Sequence, residues 1–341
     1  MTTYQHGGDI QGFAKKAGCR VEEVIDLSSN INFVKPKIDV DFNTLDIAPY
    51  PNYDALYEAV ALRYGVAIDE MELFGGGSAA IFALFAYFKG RHMDLPLRCT
   101  LYSPAYLEYK KAATVFGYDL VHIDRFESME SLPPKGSLVI FVNPATPDGM
   151  VYDVQALLEI WGKQACTVLI DESFIEFCDA PSMTSLIHTY PNLYILKSMT
   201  KYYGAAGIRV GTLISQAQNI SKLLKSEPMW KLSAFDMAYI RSALSDTTFS
   251  QRSALENAKS KAHLLETLQH AKHIEKVYPS YANYVLVKLK HMTAQALQEK
   301  LLPHRIMIRD CSNFDGLDSS HVRIAVKALP AMQKLREVLY A

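Results

Sequence analysis

The stretch Leu193-Tyr-Ile-Leu-Lys-Ser-Met-Thr-Lys201-Tyr-Tyr-Gly204-Ala-Ala-Gly207-Ile-Arg209-Val-Gly-Thr-Leu-Ile214 runs from one apolar segment through a polar turn into another. Leu193–Leu196 and Val210–Ile214 have the length and side chains of buried strands, and Lys197, Ser198, Thr200 and Lys201 follow directly on the first. Working outward, similar runs stand at Cys99–Tyr102, Leu120–Ile123, Leu138–Val142 and Thr167–Ile170, separated by helical stretches. That alternation predicts an α/β fold with a mostly parallel central sheet covered by helices. Ligands in such sheets collect beyond the carboxyl ends of the strands. Leu138–Val142 leads into Asn143 and Thr167–Ile170 into Asp171, so these side chains and Lys197, Ser198, Thr200 and Lys201 should converge on one site.

The chain has 341 residues, more than the ~150 used as a prior for one domain. From about Pro228 the pattern changes to long helical stretches, Ser250–Gln269 among them, followed by strand-like segments at Tyr284–Leu289, Arg305–Arg309 and His321–Val326. The expected organisation is an N-terminal arm (1–40) packed on the small domain or a partner subunit, a large domain (41–235) and a small C-terminal α+β domain (236–341). The arm holds one short helical stretch, Ile10–Ala17.

Apolar residues make up 49% and charged residues 21%, enough for a sizeable core and against general disorder. Thirty-five Lys and Arg against 36 Asp and Glu leave a formal charge of -1, which argues against a bulk electrostatic grip on nucleic acid or acidic membrane. Local sites for small anions remain compatible with it. Cys19, Cys99, Cys166, Cys178 and Cys311 are odd in number and form no CxxC pair, so neither a disulfide framework nor a metal site is expected. A reducing cytoplasm fits that usage. Met1–Ile10 lacks a signal-peptide pattern, and the most apolar run, Ala79–Phe88, is far short of the ~20 residues of a membrane span.

A lysine after a strand, closely followed by glycines and an arginine, suits a Schiff-base amine beside an anion pocket. Taken alone, a solvated lysine with ordinary turn glycines is the alternative. Asp171 ends an apolar run, where burial penalises a carboxylate unless a cation pairs with it. A protonated pyridine nitrogen is such a partner and keeps the ring an electron sink; a helix N-cap or a structural ion pair is the alternative. Gly75-Gly-Gly77-Ser78, ahead of a helical run, offers backbone N–H groups and a helix dipole to a phosphate. It lacks the spacing of a dinucleotide fingerprint, which argues against a nicotinamide dehydrogenase.

With Lys201, Asp171, the glycine turn and Arg209 in this arrangement, the chain resembles the fold-type I pyridoxal-phosphate enzymes, in the histidinol-phosphate aminotransferase-like group, over nearly its whole length. The resemblance implies pyridoxal 5'-phosphate as cofactor, Lys201 as its Schiff-base lysine and Asp171 as partner of the pyridine nitrogen. It further implies Asn143 as donor to the ring 3′-oxygen and Tyr106 as the aromatic stacked on the ring. Gly77, Ser78, Ser198 and Arg209 match the phosphate cup, and Tyr50 matches a tyrosine reaching that phosphate from the neighbouring subunit, which implies a homodimer.

Several positions depart from the family pattern. Asn-Pro-Asn-Asn-Pro-Thr-Gly reads here Asn143-Pro-Ala-Thr-Pro-Asp-Gly149, and Phe174 stands where many aminotransferases of the group have a tyrosine whose hydroxyl touches the 3′-oxygen. The segments His6-Gly7-Gly8-Asp9-Ile10 and Asp26-Leu-Ser-Ser-Asn30-Ile31-Asn32 look like the threonine-phosphate decarboxylases of cobalamin biosynthesis; histidinol-phosphate aminotransferases usually carry an acidic residue where Ile31 stands. Arg309 and Arg323 match the two substrate-binding arginines. The resemblance makes Arg323 the carboxylate-side arginine and joins Arg309 to His6 and Asn30 around a substrate phosphate, although either arginine can reach either anion. The implied reaction is decarboxylation of L-threonine O-3-phosphate or L-serine O-phosphate to an amino-alcohol phosphate. Transamination of histidinol phosphate is the first alternative, and a non-catalytic anion binder the second.

Overall fold

The computed structural model describes residues 8–91 and 97–341. A first short strand, β1 (Ile25–Asp26), precedes the seven strands of the main sheet. These are β2 (Met71–Phe74), β3 (Arg98–Ser103), β4 (Asp119–Asp124), β5 (Leu138–Val142), β6 (Thr167–Asp171), β7 (Leu193–Ser198) and β8 (Gly211–Ile214). Their spatial order is β2-β8-β7-β6-β5-β3-β4. The five strands from β7 to β4 are mutually parallel, and β8 runs antiparallel to both β7 and β2. The expected α/β fold with a mostly parallel central sheet is therefore present.

Alternation along the central strands explains the two-sided burial. On β5, Val139 and Phe141 enter one apolar cluster with Trp161, Ile170 and Ile195, while Leu138, Ile140 and Val142 enter another with Leu101, Leu169 and Leu196. Every residue of β5 is buried, as expected for a parallel strand covered by helices on both faces.

Edge strand β2 is absent from the sequence reading because Glu72 breaks its apolar run. The carboxylate is nevertheless buried, where it accepts from the Tyr57 hydroxyl at 2.7 Å and pairs with Lys231.

The C-terminal part forms a four-stranded antiparallel sheet from β9 (Ile274–Val277), β10 (Tyr284–Leu289), β12 (Arg309–Asp310) and β13 (His321–Ala325), in the order β12-β13-β10-β9. The intervening β11 (Ile306–Met307) pairs in parallel with β1, so Ile25 and Asp26 lie beside Ile306 and Met307. The expected single strand Arg305–Arg309 is thus two pieces in two sheets. Arg305 itself has φ +60° and closes a short helical turn, which excludes it from a strand. The helices Phe249–His270 and Leu329–Tyr340 cover this sheet around Leu264, Val285, Ile324 and Leu335, and Leu27 joins the same cluster.

Candidate active site

The carboxyl ends of β5, β6 and β7 lie side by side, with Val142 in register with Asp171 and Asp171 with Leu196. A cavity of about 190 Å³ opens there, lined by Asp171 and Lys201 together with Asn30, Tyr106, Phe174, Arg309 and Arg323. Elements far apart in the chain thus bring six of the expected side chains to one space. His6 lies outside the described residues.

Lys201 sits in the helical turn Met199–Tyr202 directly after β7. Its ammonium nitrogen lies 4.3 Å from the centroid of the Phe174 ring and 5.6 Å from that of Tyr106. Burial lowers its pKa below the ordinary lysine value; Asp171 opposes this, and Arg323 and Arg209 add to it. A neutral amine is the form that can attack a carbonyl.

Asp171, at the end of β6, is buried. One oxygen accepts from the Tyr109 hydroxyl at 2.7 Å and the other from the Ser173 N–H at 2.8 Å, which fixes the carboxylate plane. Burial and the neighbouring Asp171 push the Tyr109 pKa well up, so the phenol stays a donor. Sequence reasoning missed Tyr109. Its spacing of three from Tyr106 was the available signal, since the two rings meet edge to face at 6.2 Å across one turn.

The glycine turn precedes the helix Gly77–Arg91. Gly76 has φ +92°, and a Cβ there would stand 2.7 Å from Arg209 Nη2, so only glycine lets the guanidinium lie against the turn. At Gly211 a Cβ would fall 2.8 Å from the Gly77 nitrogen, so β8 passes directly under the same turn. Ser198 is also adjacent, its Cβ 3.6 Å from the place a Gly77 Cβ would occupy, and the Ser78 and Tyr106 hydroxyls are 3.4 Å apart. Gly77, Ser78, Ser198 and Arg209 therefore form one cup at a helix N-terminus, a geometry suited to a phosphate.

Asn143 and Tyr50 are placed differently. The Asn143 N–H donates to the Asp171 carbonyl at 2.9 Å, while its Oδ1 accepts from the Tyr152 N–H, so this buried side chain braces the following turn. Thr146 of that turn lines the cavity. Tyr50 is 75% exposed and stacks on Trp230 with centroids 4.1 Å apart, at the surface rather than in the cavity.

Arg309 and Arg323 are direct register partners across the antiparallel strands β12 and β13. Arg323 donates to Thr146 Oγ1 at 3.1 Å and to the Ser28 carbonyl at 3.2 Å, and lies over the Tyr284 ring. Among the described residues its Nε is buried without a hydrogen-bond partner, as is Asn30 Oδ1. Arg309 donates to Asn313 Oδ1 at 2.9 Å and lies over Phe314.

The fold and this constellation define a class in which a lysine amine and a buried carboxylate share one small cavity, whose wall residue Tyr106 meets Ser78 of the glycine turn. The chain belongs to the aminotransferase class I and II family, whose model matches residues 22–341, and the family is dependent on pyridoxal phosphate. The residues present fit that group: the cup, the fixed Asp171 carboxylate and the depressed Lys201 amine match its phosphate, its ring nitrogen and its aldehyde.

Three similarities add detail. The chain is 26% identical to the threonine-phosphate decarboxylase of Salmonella typhimurium, over 98% of this chain and 95% of that protein. It is also 26% identical, over 98% of its length, to the adenosylcobalamin biosynthesis bifunctional protein CobDQ of Leptospira interrogans, of which it spans only 40%. The solved histidinol-phosphate aminotransferase of Clostridium acetobutylicum matches with a TM-score of 0.80 at 27% identity, covering 93% of this chain and 98% of that one. Among the described residues, no helix is long and apolar enough to cross a membrane.

Proposed function

We propose that the protein decarboxylates a phosphorylated L-amino acid, L-threonine O-3-phosphate or L-serine O-phosphate, to the corresponding amino-alcohol phosphate of the cobamide nucleotide loop. The observation that carries this reading is the pair of opposed arginines, Arg309 and Arg323, on the wall of a cavity that already holds Lys201. Like charges directly across a strand pair destabilise it. A ligand with two anionic groups, phosphate and carboxylate, removes that penalty, and planar guanidinium groups suit bidentate capture of both.

When bound, pyridoxal phosphate supplies an electron sink for the pair left by the bond broken at Cα. In this reading Asp171, held by Tyr109 and Ser173, faces the ring nitrogen and keeps it protonated. Ser78, Ser198, the Gly77 N–H and Arg209 hold the cofactor phosphate, Tyr106 covers the ring and Asn143 belongs to its 3′-oxygen side. Arg323 grips the substrate carboxylate and Arg309, with Asn30 and His6, the substrate phosphate. Fixing both ends sets rotation about the amine–Cα bond, which decides whether a carboxylate or a hydrogen stands perpendicular to the ring. Lys201 Nζ returns a proton to Cα after CO2 has left.

The similarity to threonine-phosphate decarboxylase supports this reading. The 27% identity to a histidinol-phosphate aminotransferase favours amino transfer as the second reading.

We further propose a homodimer in which Tyr50 reaches the neighbouring subunit's phosphate cup. Tyr50, Ile47, Met229 and Trp230 are exposed large apolar residues, and Tyr50 stacks on Trp230. Incubating holoenzyme with phosphothreonine, phosphoserine and histidinol phosphate, with and without 2-oxoglutarate, tests the reaction. Release of CO2 without 2-oxoglutarate is expected; glutamate formed without CO2 would remove the decarboxylase reading.

A further inference from the structure

We propose that the buried Arg125–Asp148 pair is a positioning device for substrate recognition: acting through Thr146, it sets the direction of the Arg323 guanidinium. The inference rests on the reading above that Arg323 meets a substrate anion.

Arg125 follows β4, where its N–H donates to the Ser103 carbonyl at 2.7 Å. Its side chain is 1% exposed and that of Asp148 3%. One guanidinium serves three segments. It donates to both Asp148 carboxylate oxygens at 2.9 and 3.3 Å, to the Pro104 carbonyl at 2.7 and 3.2 Å, to the Thr146 carbonyl at 3.3 Å and to the Tyr152 hydroxyl at 2.9 Å. Pro104 leads to Tyr106 of the cavity wall, and the Tyr152 N–H holds Asn143. The most direct path is through Thr146: its carbonyl is gripped from below by Arg125 while its hydroxyl accepts from Arg323 Nη1 at 3.1 Å.

A buried ion pair is a weak way to gain stability, since apolar residues of the same volume do as well or better. What the planar fork provides is direction. With the 145–148 turn fixed in rotation, Thr146 Oγ1 and the Ser28 carbonyl hold the two ends of the Arg323 guanidinium. The Nε–H is then left buried and without a partner among the described residues. Thr146 and Asp148 are two of the positions at which this chain departs from its family's Asn-Pro-Asn-Asn-Pro-Thr-Gly pattern, and here they belong to one hydrogen-bonded unit.

The test is a double-mutant cycle on holoenzyme, reading the dissociation constant of O-phospho-L-threonine from the change in cofactor absorbance, for Asp148→Asn, Arg323→Lys and the double variant. Each single change should weaken binding by about tenfold, the scale of one lost charge-assisted hydrogen bond, and the double variant should be no weaker than the worse single one. Additive losses, or normal binding in Asp148→Asn alongside weak binding in Arg323→Lys, would overturn the positioning role while leaving the function reading intact. Normal binding in Arg323→Lys would overturn both. Should Asp148→Asn fail to fold, Thr146→Val keeps the ion pair and should show the same coupling to Arg323, with Thr146→Ser restoring affinity. Intact affinity in Thr146→Val sinks the inference.

Discussion

Arg309 and Arg323 face each other as register partners on β12 and β13, two guanidinium-bearing residues side by side on the wall of the cavity that contains Lys201. Burial and the adjacent Arg323 both push the Arg309 pKa down. In the proposed reading Arg309 meets a substrate anion, so Arg309→Met should raise KM for the phosphorylated amino acid at least ~tenfold, as loss of a charged hydrogen bond does. Steady-state kinetics on holoenzyme decide it; an unchanged KM would rule the arginine out of the proposed anion site.

Tyr109 bonds to Asp171 with both groups buried. Tyr109→Phe removes one oxygen and leaves a carboxylate oxygen short of a donor, which should lower stability by roughly 1–3 kcal/mol. It should also weaken cofactor retention, since the carboxylate is then free to rotate. Fluorescence titration of apoprotein with pyridoxal phosphate measures the second effect. Equal affinities in the two proteins would show that Ser173 alone holds the carboxylate.

Phe174 lies 4.3 Å from Lys201 Nζ, centroid to nitrogen, and packs edge to face on Tyr284. Phe174→Tyr restores the hydroxyl found in many relatives of the aminotransferase group. A donor to the ring 3′-oxygen stabilises its anionic form and reduces its hold on the neighbouring proton, so the visible-absorbance titration of holoenzyme should move to lower pH. No movement would mean that the added hydroxyl points elsewhere.

Lys327 donates to the Ile31 carbonyl at 2.8 Å, and burial lowers its pKa to about 8, with Asp26 opposing and Lys35 adding to the shift. Lys261 is lowered to about 8 for the same reason, while it donates to the Ser280 and Ala282 carbonyls. Between those values and the ordinary ~10.4 of an unfolded lysine, the unfolded chain binds more protons than the folded one. Stability from these groups therefore rises with pH across that window, by at most about 1.4 kcal/mol per pH unit for each lysine. Buried tyrosines and cysteines with raised pKa values, Tyr109 and Cys99 among them, titrate with the opposite sign, so the contribution is read as a difference. In urea unfolding at intervals from pH 7 to about 10.5, the stability of the wild type relative to Lys327→Met should rise with pH, and a difference that falls across the window contradicts the assignment.

Much of this architecture was legible because apolar runs of strand length are a local signal. Leu138–Val142 matches β5 to the residue, and Cys99–Tyr102 and Thr167–Ile170 fall inside β3 and β6. Strand β2 was hidden because Glu72 reads as polar, although Tyr57 and Lys231, distant in the chain, neutralise it inside the fold. Arg305–Arg309 read as one strand because nothing local records that Ile306 pairs with Ile25 while Arg309 pairs with Arg323.

The amino-acid order alone therefore determined the alternating layers, the lysine and carboxylate at strand ends and the glycine turn, since each depends on side chains a few residues apart. Which groups meet was decided by tertiary packing: Arg309 opposite Arg323, Thr146 against Arg323, Tyr109 on Asp171 and Arg125 beneath the 145–148 turn. The hydrogen bonds from Thr146 to Arg125 and to Arg323 join residues 21 and 177 apart in the chain. Hydrogen bonds act over about 3 Å, so no periodicity along the chain encodes them; they exist only once the sheets have brought their ends together.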